Sequence, residues 1–400
     1  MSKLTIGLFG FGCVGQGFYE ILNNENNPLF EIKKIVVKNE EKERSAPKEL
    51  FSTNAEDIFN DAEINLIVEL IDDAETAFQI VRRSLARAIP VISANKKMIA
   101  THLEELFELQ ERFNTPLLYE GAVCGSIPIL QTLENYYQND KVNEIRGIFN
   151  GSSNYVLSKI LNENLSYEAA LTQAQELGFA ETDPTLDVGG YDPSYKLAIL
   201  IKHVFGVSID PNKITRLGID QLSSTIYDYA QARNLKVKLI ASAKVSHGQI
   251  SASVIPHLVS KEDEEFTIEN EFNSVAIATE YTGKQLLVGK GAGKYPTGLA
   301  VYNDLKNLLK GFKYKNKESL VALNDEPITV FIKYEQSGFI IKFFDQIKEH
   351  NLTKGESYII GEIAPSKLRT LKGFNDLSVA VFTENAIKKA QLSTSYSYAV

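Results

Sequence analysis

The chain has 400 residues, 44% of them hydrophobic, with a net charge of −9 at neutral pH. That length suits two or three cores at roughly 100–200 residues per domain, and the acidic balance argues against a general nucleic-acid binder, whose footprint is basic. No apolar run approaches the ~18–20 residues of a bilayer span, the N-terminus enters a strand without a basic region or cleavage site, and the two cysteines, Cys13 and Cys124, make no disulfide framework. A cytoplasmic globular protein with small-molecule partners is expected.

The first hundred residues alternate short apolar runs with amphipathic stretches, as repeated βα units do. Residues 4–9 form a buried-strand run, and Gly10, Phe11, Gly12, Cys13, Val14 and Gly15 follow at once and open a helix over 16–22. Strand, glycine turn and helix in that order are the setting of a dinucleotide-binding loop. Gly10 permits the tight turn, Gly12 lets the backbone approach a pyrophosphate, and Gly15 lets helix and strand pack closely. Residues 32–37 are the expected second strand, whose end carries an acid in NAD-binding folds; here Lys38 and Asn39 stand there, with Lys42 and Arg44 beyond. A basic group can neutralise a 2′-phosphate, so NADP is expected ahead of NAD. Further buried strands are expected at 65–71 and 90–93, separated by an amphipathic helix over 74–88. Ligands of open α/β sheets bind beyond the carboxyl ends of strands, which makes Ser93 and Lys96 of SANKK candidates to touch cofactor or substrate.

A strand at 117–119 leads into EGAVCGSIP at 120–128, one carboxylate before a glycine-punctuated turn that can present carbonyls to a hard cation; a plain strand-to-helix turn gives the same letters. In the middle region, helices are expected at 154–161, 166–177 and 192–205, and strands at 142–150, 237–246, 249–256 and 273–281. The segment GFAETDPTLDVGGYDPSYK, 178–196, gathers Glu181, Asp183, Asp187 and Asp192 ahead of Lys196. Asp192 before Pro193 is the expected N-cap and Pro193 the first helical residue. Lys196 then falls in the first turn, where the helix dipole and burial lower a lysine pKa toward the range useful for proton transfer. His203, two turns on, is expected to be structural, and no His/Cys cluster has zinc-ligand spacing.

Residues 296–312 are expected as a helix returning to the nucleotide lobe and 313–318 as a polar linker. The tail is expected as strand 328–334, helix 339–350, strand 357–363, a helical 365–371 and strand 377–383. It resembles the small ACT-type regulatory domains, with residues 335–338 in place of their aspartate–proline–glycine turn.

Taken together, GFGCVGQG (10–17), SANKK (93–97), YEGAVCGSIPI (119–129), GIFNGSSNYVL (147–157), the 177–200 segment and VGKGAGKYPTG (288–298) closely resemble homoserine dehydrogenase. The resemblance implies NAD(P)-dependent interconversion of L-homoserine and L-aspartate 4-semialdehyde, on the route from aspartate to threonine and methionine. It implies Lys196 as the proton-transfer lysine and Lys96 as a lysine between cofactor and substrate. Glu181 and Asp192 match substrate-binding acids, with Asp187 a further candidate. Gly178 and Gly291 match backbone positions near the cofactor, and Glu120 with the carbonyls of Val123, Gly125 and Ile127 matches a sodium site. A homodimer is also implied. Two departures stand out: Asp72-Asp73 replaces a Gly-Gly pair, and Ser152-Ser153 replaces a threonine pair.

The expected architecture is α/β: a Rossmann-type dinucleotide-binding domain (1–131 and 289–318), a second α/β substrate and dimerisation domain (132–288), and a small α+β C-terminal domain (325–400). The alternative function is another Rossmann-fold oxidoreductase acting on an aspartate-derived aldehyde. An acylating aldehyde dehydrogenase needs a nucleophilic cysteine with a histidine base, and neither Cys13 nor Cys124 has a histidine nearby in sequence. A non-catalytic dinucleotide sensor has no direct support, since Lys96, Glu181, Asp192 and Lys196 are all intact.

Overall fold

The computed structural model describes residues 3–317, 319, 322–335, 339–353, 355–371 and 377–392. Position 318 of the expected linker and 336–338 of the tail's turn lie outside the described residues. The chain divides into two units: 1–139 with 198–210 and 289–319, and 140–197 with 211–288 and 320–400.

The first unit is built on strands β1 (Leu4–Phe9), β2 (Phe30–Val36), β3 (Phe51–Ser52), β4 (Leu66–Glu69), β5 (Val91–Ser93) and β6 (Leu117–Leu118). They form one parallel sheet in the order β3-β2-β1-β4-β5-β6. This doubly wound order reverses between β1 and β4, the switch point at which such sheets bind nucleotides. The central strands are buried except at Leu4, as the continuous LTIGLF and LIVE runs require when helices cover both faces. The expected helix at 16–22 begins earlier, at Cys13, and runs to Glu25.

The return helix, expected at 296–312, spans Lys294–Leu309 and packs against the helix Cys13–Glu25. A Cβ on Gly17 would collide with the Lys294 carbonyl, and one on Gly298 would stand 2.7 Å from the Phe18 amide nitrogen. Two glycines thus let the backbones approach closely.

The second unit carries an 11-stranded sheet. Its strands are β7 (Val142–Gly147), β8 (Thr215–Arg216), β9 (Lys236–Ser246), β10 (Gln249–Val259), β11 (Phe272–Thr279), β12 (Lys284–Lys290), β13 (Ala322–Leu323), β14 (Ile328–Lys333), β15 (Gln346–Asn351), β16 (Tyr358–Ile363) and β17 (Ser378–Phe382). The path is β12-β11-β7-β9-β10-β17-β14-β16-β15, with β8 and β13 also pairing β10. The long β9–β10 hairpin closes on His247 and Gly248, both with positive φ, as a two-residue turn demands.

This division departs from the three-part expectation. β10 pairs β17 in parallel, and the tail's apolar residues Val330, Ile332, Ile359 and Val381 share one core with Ile255 of β10. The tail therefore completes the second unit's sheet. Residues 339–350, expected as a helix, form a 3-10 turn at Ile340–Phe343 and then β15, because the edge of β16 offers a ladder to pair with. Residues 365–371 are helical as expected. Among the described residues, no helix is long and apolar enough to cross a membrane.

Candidate active site

In the first unit, Gly10 follows β1 with φ +92°, and a Cβ there would strike the Leu70 carbonyl; a Cβ on Gly15 would lie 2.6 Å from the Gly10 carbonyl oxygen. Both positions are closed by the protein's own backbone. Gly12 differs: it is the N-cap of the helix Cys13–Glu25, no side chain caps that helix, and a Cβ added there meets nothing within 4 Å. The first-turn N–H groups thus open onto free space, a cradle that fits a dinucleotide pyrophosphate. Phe11 is buried, edge-on to Tyr19 and Phe51, while Cys13 is exposed and Val14 half-buried.

Lys38 is exposed just past β2. Asp73 accepts from the Thr76 amide at 2.8 Å as the N-cap of the helix Ala74–Ala86. Its carboxyl is held low first by its bonds from Thr76, with the Lys38 and Lys97 charges adding to the effect. The acid that replaces a family glycine therefore has a helix to cap.

At the ends of β4 and β5 lies a buried network that motif reading did not single out. The Ser93 hydroxyl donates to Glu69 Oε2 at 2.6 Å, the Ile71 amide donates to Glu69 Oε1 at 2.7 Å, and the Asn95 amide donates to Ser93 Oγ at 3.1 Å. Asn95 in turn caps the helix Lys96–Thr101, so Lys96 is its first residue. Burial pushes the Glu69 carboxyl up to about 7. The Ser93 hydroxyl is committed to Glu69.

Glu120 is also buried. Its Oε1 accepts from the Leu130 amide at 2.9 Å and its Oε2 from the Gln131 amide at 2.8 Å, at the start of the helix Ile129–Asn135. Asp304 accepts from the Glu120 amide at 3.0 Å. Burial, then the neighbouring Asp304 charge, raises Glu120 to about 8, and burial raises Asp304 to about 7. Cys124 and Gly125 both adopt positive φ, and Gly125 packs against Gly291 so closely that a Cβ would lie 2.7 Å from the Gly291 carbonyl oxygen. The Ile127 carbonyl accepts from the Ile129 amide at 2.8 Å. No cluster of three His, Cys, Asp or Glu side chains occurs among the described residues, so a cation in this turn would rely on main-chain carbonyls beside Glu120.

His203 bonds Glu134 Oε1 through Nδ1 at 2.8 Å and the Tyr119 hydroxyl through Nε2 at 2.9 Å, fully enclosed, and burial lowers its pKa. This is a structural histidine.

In the second unit, Lys196 is 5% exposed and its Nζ donates to Asp192 Oδ2 and to the Phe149 carbonyl, each at 2.7 Å. Asn150 Nδ2 donates to Asp187 Oδ1 at 2.7 Å and to Asp192 Oδ2 at 2.9 Å. Lys196, Asp192 and Asp187 are thus brought together by a residue the sequence reading passed over. Its signal was visible: an Asn at the end of a strand before a helix is a cap, and Asn150 does cap Gly151–Glu163.

Asp192 is not the N-cap expected of it. The helix starts at Tyr191, and the Ser194 amide donates to the Gly190 carbonyl. Pro193 fits because any first-turn N–H lacks an intrahelical partner. Glu181 stands outside the cluster: it is exposed, and its carbonyl accepts from the Gln175 side chain. Asp183 accepts from the Thr185 amide as a turn residue. Gly178, φ +75°, ends the helix Tyr167–Glu176 and faces open space.

Family models for homoserine dehydrogenase match residues 128–305 and, for the NAD binding domain of that enzyme, residues 10–120. The chain belongs to the homoserine dehydrogenase family. The homoserine dehydrogenase of Bacillus subtilis strain 168 is 33% identical over 322 residues, 78% of this chain and 74% of that protein. A homoserine dehydrogenase from Thiobacillus denitrificans superposes over 96% of this chain and 99% of its own with a TM-score of 0.83; at 24% identity this shows the shared fold. A hyperthermophilic archaeal homoserine dehydrogenase mutant in complex with NADPH covers 78% of this chain and 99% of its own, at a TM-score of 0.65 and 25% identity. As a homoserine dehydrogenase, the chain is an NAD(P)-dependent oxidoreductase of amino-acid biosynthesis.

Proposed function

We propose that Lys196 is the proton donor and acceptor in the interconversion of L-homoserine and L-aspartate 4-semialdehyde. The observation that carries this is a buried ammonium held between the Asp192 carboxylate and the Phe149 carbonyl, each at 2.7 Å. Two of its three N–H groups are fixed, and the third is left for a substrate oxygen. The nicotinamide cofactor, when bound, takes the hydride from the alcohol carbon or returns it to the aldehyde. In the reductive direction the lysine ammonium protonates the developing alkoxide; in the oxidative direction its neutral amine takes the hydroxyl proton. By the family resemblance alone, Lys96 is a lysine between cofactor and substrate. Asp187 and Asp192, tied together by Asn150, supply carboxylate to the substrate's α-ammonium, and the family resemblance adds Glu181 as a further substrate acid.

The cofactor is held by the Gly10–Gly15 cradle: Gly10, Phe11, Gly12, Cys13, Val14 and Gly15 supply backbone, with main-chain positions at Ser93 and Gly291; Gly178 is a cofactor position by the family resemblance alone. NADP is the preferred form, with Lys38 neutralising the 2′-phosphate. The NADPH complex of the archaeal relative supports this choice. Glu120 and the carbonyls of Val123, Gly125 and Ile127 form an all-oxygen donor set suited to sodium. A homodimer built on the second unit and a cytoplasmic location complete the proposal; both come from the family resemblance, and sizing of the purified protein tests the first.

The deciding experiment follows nicotinamide absorbance with L-homoserine at alkaline pH, using wild type and Lys196→Ala. Lys196→Ala is expected to cut kcat by ~10²–10⁴-fold, the range of general acid–base catalysis. Near-normal turnover of that variant would refute the mechanism, and a folded, cofactor-binding wild type inert toward homoserine would refute the activity.

A further inference from the structure

We propose that Asn150 is a positioning residue of the Lys196 site: it fixes Asp187 and Asp192 in one arrangement and, through Asp192 Oδ2, sets the direction of the lysine. The inference rests on the reading of Lys196 given above. The side chain is 5% exposed. Its Oδ1 accepts the Ser153 amide at 2.8 Å, which settles which end of the amide carries hydrogens. Both hydrogens on Nδ2 then have acceptors, Asp187 Oδ1 and Asp192 Oδ2. The oxygen of Asp192 that receives Asn150 is the one that receives Lys196.

Capping does not explain this choice of residue. Asn, Asp and Ser are about equally good N-caps, because a cap needs only an acceptor oxygen. Two donors aimed at two carboxylates are something only the amide provides among the three. Without them, Asp187 and Asp192 lose the amide that bridges their like charges, and the Asp192 oxygen that receives Lys196 loses its second donor. The main chain adds to the coupling: Phe149, whose carbonyl receives the other lysine N–H, is the neighbour of Asn150.

Asn150→Ser and Asn150→Asp both keep a capping oxygen and remove the amide's two donors, Ser leaving only a single hydroxyl on a shorter side chain. For both, kcat for L-homoserine is expected to fall about 10- to 100-fold, the loss of a hydrogen bond to a charged group, with Asp the worse because it adds a third carboxylate. The KM for the cofactor is expected to stay within about three-fold and the melting temperature within a few degrees, which separates positioning from general damage. If Asn150→Asp does not fold, Asn150→Ser decides. Either folded variant retaining kcat within about three-fold of an active wild type would overturn the inference while leaving the homoserine dehydrogenase activity standing. A wild type without homoserine turnover would overturn both.

Discussion

Glu69→Gln isolates one buried carboxylate at the end of β4. In the folded chain burial lifts Glu69 from its ordinary 4.5 to about 7. A carboxyl raised in this way contributes stability that is fully present below its unfolded pKa and is lost as pH climbs through the folded value. The gap of about 2.5 units amounts to roughly 3 kcal/mol at 1.36 kcal/mol per unit. Most of it, about 2 kcal/mol, falls between about pH 5.5 and about pH 8. Glutamine cannot titrate. Its carbonyl can still accept the Ile71 amide, but its NH₂ faces a Ser93 hydroxyl that already accepts the Asn95 amide. That leaves the hydroxyl hydrogen without its partner, at a cost of about 1 kcal/mol at every pH. Urea denaturation of both proteins at the two pH values should therefore show the variant close to wild type at about pH 5.5 and more stable by roughly 2 kcal/mol at about pH 8. Glu120, Asp304 and His203 titrate in both proteins and cancel in the difference. Equal pH slopes for wild type and variant would show that Glu69 does not change charge in this window, and the burial argument would fail.

Lys38→Asp should weaken the hold on NADP more than on NAD, because an acid at the end of β2 repels a 2′-phosphate and accepts a ribose hydroxyl; an unchanged NADP/NAD ratio in KM would refute the role of Lys38. Gly12→Ala and Gly17→Ala should separate binding from folding. The first adds a methyl to open space in the nucleotide cradle, so its melting curve should match wild type while cofactor affinity measured by nicotinamide fluorescence drops about tenfold, or 1.4 kcal/mol. The second drives a methyl into the Lys294 carbonyl and should cost roughly 1–3 kcal/mol in denaturant midpoint, the scale of overpacking a close interface. Unaltered cofactor affinity in Gly12→Ala, or an unshifted midpoint in Gly17→Ala, would contradict the geometry of these glycines.

The nucleotide half of the molecule was readable because its signals are local. β1 needs a buried apolar run and the loop after it needs glycines, and both lie within a dozen residues. Lys196 and its acids were readable as a cluster, but their division of labour was not. Asp-Pro reads as cap and first helical residue, and the same pair sits as comfortably two positions further in, where the helix has already started at Tyr191. Asn150 stayed hidden because its task depends on two aspartates 37 and 42 residues away. β15 was misread for a related reason: the apolar residues ahead of it suggest a helix, and only the partner edge of β16 makes the segment extended. Glu69 looked like one polar residue in a buried strand, and its network appears only when β4 and β5 lie side by side.

The helix Lys294–Leu309 belongs to the unit that begins at the N-terminus, and β17 belongs to the sheet that begins with β7. During synthesis, then, neither unit can close when its first half leaves the ribosome. The glycine face at Gly17 waits for nearly 280 further residues, and the edge of β10 waits for more than a hundred. The nascent chain must carry an uncovered helix face and an unpaired strand edge together, and unpaired edges invite association with other chains. A ribosome that stalls before residue 378 would release a protein whose glycine loop is complete but whose second sheet still has an open side.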